Sequence, residues 1–144
     1  MSRWTKSLIR IANHEVETLQ KQVAEIVGRR LDIQAHQARL ETEAKAEALH
    51  ARENPEAGLS HLAYMSGVRL KRQAYQQALA GLDQEEDVVR QALAEAFEAL
   101  KKYEIVAQNM QLAEDRELVR QETAVLDEMG LRLSRRTADY SSEA

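Results

Sequence analysis

Two apolar repeats with a period of seven residues, parted by the only proline, run through most of this chain. The first passes through Ile9, Ala12, Val16, Leu19, Val23, Ile26, Ile33, Leu40 and Ala44. The second passes through Met65, Val68, Tyr75, Leu79, Leu82, Val89, Leu93, Ala96, Leu100, Tyr103, Ala107 and Met110. Steps of three and four residues alternate, which keeps one face of a helix turned toward one partner helix. With 31% charged and only 4% aromatic residues, the composition suits a seam between helices rather than a β-rich core. The pattern predicts an all-α fold: an antiparallel two-helix coiled-coil hairpin with an overhanging C-terminal helix.

A single coiled-coil domain over residues 1–144 is expected, with a helix over about 2–52, a turn over about 53–59, a second helix over about 60–136 and a frayed tail at 137–144. Pro55 disfavours helical geometry at Asn54 and so ends the first helix. Ser60 is expected to cap the second, with Leu59 and Tyr64 as a hydrophobic staple. Gly130 has the character of a C-terminal stop, although Leu131 and Leu133 continue the apolar pattern. Strict heptad spacing makes Arg30, Gln37 and Glu47 polar members of the first seam. Either they set register at a cost in stability, or they snorkel from a wet seam. Gly28 and Gly81 fall on outer faces, where they weaken the helix locally or permit a bend or a partner's close approach.

At about 1.5 Å per residue, the first helix spans roughly 75 Å and the second roughly 105–115 Å. Folding back near residue 56 brings Trp4 level with Met110. Beyond that level the apolar positions change phase to Leu112, Val119, Leu126 and Leu133, joined by Met129. An apolar stripe with no partner in its own chain is expected to seek another surface. Lys101 with Lys102, and Arg132, Arg135 and Arg136, suit docking to an acidic surface; the alternatives are a solvated face and a favourable helix dipole. Trp4 either anchors a contact or closes the seam against Met110. The candidate partner-binding residues are therefore Trp4, Leu8, Lys101, Lys102, Leu112, Val119, Leu126, Met129, Leu133, Arg135 and Arg136.

No constellation for chemistry stands out. His14, His36, His50 and His61 lack metal-ligand spacing, no Gly-rich phosphate loop is present, and there are no cysteines. No catalytic, cofactor-binding or metal site is expected, and no enzyme. A net charge of −4 argues against nucleic acid as a partner. No apolar run approaches the roughly 18 residues of a membrane span, and the N-terminal segment lacks a secretory apolar core. A soluble, cytoplasmic monomer is the expectation; the alternative is a generic coiled-coil scaffold or chaperone acting as a homodimer.

Several stretches resemble the FliJ family of flagellar type III export proteins. Lys6-Ser7-Leu8-Ile9-Arg10 followed by His14-Glu15-Val16 is similar to the family's N-terminal helix. Leu62-Ala63-Tyr64, Leu70 and Tyr75-Gln76-Gln77 resemble the start of its second helix. Ala99 to Glu104 and Leu126 to Gly130 resemble its C-terminal signature. The chain departs from the family pattern at Gln108-Asn109, where members often carry Glu-Arg. The resemblance covers nearly the whole chain and implies a soluble part of the flagellar export apparatus, peripheral to the membrane at the flagellar base. It implies that the end holding both termini enters the hexameric FliI-like export ATPase, and that the chain contacts the cytoplasmic part of the FlhA-like export gate. Export chaperones are further implied partners.

Overall fold

A computed structural model describes residues 2–142 of the chain. The protein is all-α: two long helices pack together as a hairpin. Helix α1 spans Arg3–Glu53, a single 3-10 turn spans Pro55–Ala57, and helix α2 spans Gly58–Ser142. Ser2 caps α1, its side-chain oxygen accepting the Thr5 backbone N–H at 3.4 Å. Helix α1 stops two residues before Pro55. Asn54 is extended, with φ −127° and ψ 91°, and both its backbone N–H and its side-chain amide donate to the carbonyl of His50.

Two boundaries differ from the sequence reading. Helix α2 begins at Gly58, two residues before the expected cap Ser60, because the 3-10 turn hands its backbone directly into the helix: the Gly58 N–H bonds to the Pro55 carbonyl. Leu59 is then 84% exposed and forms no staple with Tyr64. At the other end, α2 continues through Thr137–Ser142, where fraying was expected. No glycine has a positive φ, so Gly130 does not terminate the helix. The hydroxyls of Thr137 and Ser141 donate back to carbonyls four residues earlier, which satisfies them without leaving helical geometry. Glu143 and Ala144 lie outside the described residues.

The chain divides into two compact units. The first to consider is Asn13–Glu98, in which α1 and α2 run antiparallel. Val16, Leu19, Ile26, Leu40 and Ala44 on α1, with Val68 and Leu82 on α2, are buried. Leu40, Ala44 and Val68 form one cluster, against which Tyr64, Met65 and Tyr75 pack. The rings of His36 and Tyr75 stack with centroids 6.2 Å apart. Toward the turn the seam leaves strict heptad spacing: Glu47 is exposed and Ala48 is half-buried in its stead. A straight helix drifts about 20° per heptad, and that drift accounts for the step. Two seam members escaped the apolar count because they are charged. Arg72 and Glu86 are half-buried on α2 and pair with residues of α1.

The second unit joins Met1–Ala12 to Ala99–Ala144. Thr5, Ala12, Leu100 and Ala107 are buried, with Leu8, Ile9, Tyr103 and Met110 half-buried. Thr5 is a seam member that the apolar pattern passed over, one heptad before Ala12. At 2% exposed, it keeps its hydroxyl satisfied by donating to the Ser2 carbonyl at 2.8 Å. From Gln111 to Ser142 every residue is exposed.

Candidate interaction surface

The surface is built on α2 past Met110. Continuing the seam heptad from Ala107 and Met110 lands on Glu114, Glu117 and Gln121. The seam is therefore polar where α1 no longer covers it. The apolar residues rotate away from it: at about 100° per residue, Leu112 stands about 200° round the helix from Met110. From Leu112 a new line passes through Val119, Leu126 and Leu133, with Met129 beside it, and all are about half to two-thirds exposed. Leu118 and Val125, one position earlier in each heptad, widen the line into a band. These two were missed in sequence because the stripe was read as one row. Their own seven-residue spacing was the available signal.

Gln121 and Glu122 join Leu118, Val125 and Leu126 in lining one shallow groove on this face. Met129, Arg132, Leu133 and Arg136 line a second. Two ion pairs of the segment form along their own helix. Arg120 donates to both oxygens of Glu117 at 3.0 and 2.8 Å, and Arg132 donates to Glu128 at 3.1 Å. The Arg120 guanidinium holds the Glu117 carboxyl below its ordinary range. These i,i+3 and i,i+4 pairs support the helix without neighbours and leave the apolar band open.

All eleven candidate residues fall in the unit that joins the N-terminal residues to the second half of α2. Trp4 is 56% exposed and does not close the seam, because Thr5 holds the inward position beside it. Arg3, Trp4, Ser7 and Leu8 line a separate shallow groove. Lys101 and Lys102 are exposed and flank the seam residue Leu100 without entering it. Arg135 and Arg136 are exposed in the last turns of α2.

Among the described residues, no group of three or more His, Cys, Asp or Glu could hold a metal ion. No helix of the described residues is long and apolar enough to cross a membrane. The fold and surface define a class: a helical-hairpin protein that presents an uncovered apolar helix face.

Comparison with known proteins gives that class a family. Over 132 residues, 92% of this chain and 95% of the relative, the sequence is 42% identical to the "Flagellar FliJ protein" of Caulobacter vibrioides strain NA1000 / CB15N. The same identity holds for the protein of that name from strain ATCC 19089 / CIP 103742 / CB 15. The chain belongs to the FliJ family. No family model matches it, and no solved structure does.

Proposed function

We propose that this chain is a non-enzymatic, stalk-like component of the flagellar type III protein export apparatus, on the cytoplasmic side of the membrane at the flagellar base. It binds the hexameric export ATPase, promotes assembly and turnover of the ring, and links the ring to the cytoplasmic domain of the export gate. Export chaperones are a further class of partner.

The observation that carries this reading is the band of Leu112, Leu118, Val119, Val125, Leu126, Met129 and Leu133, exposed along α2 with no cover from α1. Apolar surface of this length is costly to leave in water, and a partner gains by burying it. Family membership supports the flagellar setting. A single helix with one apolar face, placed on the axis of a six-membered ring, cannot offer the same contact to every subunit. It favours those it faces, and this asymmetry is the physical means by which a non-enzymatic part biases a ring of ATPases. Trp4 and Leu8, with Lys101, Lys102, Arg135 and Arg136, extend the contact to apolar and acidic partner surfaces.

The test is the double variant Leu126→Asp/Met129→Asp. Both side chains are exposed, so the hairpin keeps its thermal midpoint. Affinity for the ATPase ring falls at least tenfold, because two carboxylates must be desolvated at the contact. Binding and ATPase stimulation equal to the parent's would overturn the assignment of this face. A tight homodimer in sedimentation, buried over Leu112 to Leu133, would replace it with a scaffold function.

A further inference from the structure

An apolar seam that repeats every seven residues does not choose its own register. Sliding α2 by one heptad past α1 returns apolar side chains to apolar side chains. Within Asn13–Glu98, the charged seam members break that degeneracy. Arg30 on α1 donates from Nη2 to Oδ1 of Asp83 at 2.8 Å, and its Nη1 lies 2.7 Å from Oε1 of Glu86, a close ionic contact off the hydrogen-bond axis. The Glu86 side chain is only 15% exposed, and its other oxygen accepts from Arg90 at 2.7 Å. Farther along α1, Glu41 takes a two-pronged contact from Arg72, with Nε at 2.5 Å from one oxygen and Nη2 at 2.8 Å from the other. The pairs have opposite polarity: the cation stands on α1 in one and on α2 in the other.

We propose that the Arg30–Glu86 and Glu41–Arg72 pairs are a register lock, and that a chain without them populates a second hairpin register displaced by one heptad. The link at Asn54–Ala57 is short, so the open direction of slip feeds residues of α2 into the link. Of the heptad fed, Leu59 and Leu62 are 84% and 68% exposed and bury little, so the cost falls on the half-buried His61 and on Tyr64, which packs against the Leu40 cluster. In the displaced register Arg30 meets Leu93 in place of Glu86, and Glu41 meets Leu79 in place of Arg72. Arg72 then meets Ala48, and Glu86 meets Gln37. Arg30, Glu41 and Arg72 lose their partners across the seam, and Glu86 keeps only Arg90 of its own helix. The loss weighs most at Arg30, whose side chain is 24% exposed, because a largely covered charge without its counter-ion is disfavoured. The lock is independent of what the protein binds.

The sequence has no cysteines, so introduced pairs report register without background. Ala44→Cys with Val68→Cys, both in the buried cluster, traps the native register. Ala44→Cys with Tyr75→Cys traps the displaced one. In the parent chain, mild oxidation cross-links only the first pair. In the fourfold variant Arg30→Leu/Glu41→Leu/Arg72→Leu/Glu86→Leu these four seam charges are gone, and the second cross-link rises at least tenfold. The charge-swapped variant Glu41→Arg/Arg72→Glu behaves as the parent. The double variant Arg30→Leu/Glu86→Leu retains one pair and gives an intermediate yield, and it serves as the reading if the fourfold variant self-associates. A displaced cross-link that stays at the parent's level in both Leu variants overturns the lock and leaves register to the link and the exposed Arg29–Glu85 pair, 2.7 Å apart across the helices. Displaced cross-linking in the charge-swapped variant overturns it equally.

Discussion

Gly28 and Gly81 sit inside long helices where a Cβ would meet nothing within 4 Å. Neither is needed for close packing within this chain, and both are in helical geometry. Replacing each by alanine removes backbone freedom from the unfolded chain and should stabilise the fold by about 1 kcal/mol per site. Urea denaturation of Gly28→Ala/Gly81→Ala measures it. A midpoint unchanged or lowered would show that one glycine sustains a bend that the helix requires. Arg30 makes the opposite point about single residues. Its length and charge fit a snorkelling side chain equally well in sequence, and only its two carboxylate partners, far away along the chain, separate the alternatives.

At the scale of the helices, α2 is the more revealing. Every residue from Gln111 to Ser142 is exposed, so this segment contributes nothing to the hairpin's buried seam. A chain truncated after Met110 should keep the thermal midpoint of the parent, lose the ellipticity of the missing segment, and fail to retain the export ATPase in a pull-down. A large fall in midpoint would mean that the segment folds back onto the hairpin in solution. Most of both helices was legible from apolar spacing. The seam from Ile9 to Ala44 and from Met65 to Met110 stands where the heptads put it. Glu47 gave way to Ala48 because a rigid seven-residue count ignores helical drift. Thr5, Arg72 and Glu86 were passed over because an apolar count cannot see polar side chains that are buried with a partner. Ser60 lost the capping role because a 3-10 turn after Pro55 needs no separate cap. The band past Met110 was legible as unsatisfied apolar surface; what covers it was not, since its complement lies in another molecule.

For the molecule as a whole, acid is the sensitive axis. Arg72 holds the Glu41 carboxyl below its ordinary range, and Arg90 and Arg30 do the same for Glu86. A carboxyl depressed in the folded state adds stability above its unfolded value, and that contribution disappears as pH falls through the folded value. The thermal midpoint should therefore drop as pH is lowered below about 4, where glutamates begin to protonate. Glu41→Gln/Glu86→Gln should start lower at neutral pH and show a shallower drop. Parallel curves for variant and parent would mean that other carboxylates carry the acid response. The link between the helices has a last consequence. Nothing in Asn54–Ala57 is buried beyond the half-covered Ala57, and these four residues are all that the pairing of α1 with α2 has for a tether. A protease nick there would leave two fragments bound by the seam alone. Unfolding would then become dissociation, diluting the sample would weaken the fold, and the affinity of one helix for the other could be titrated directly.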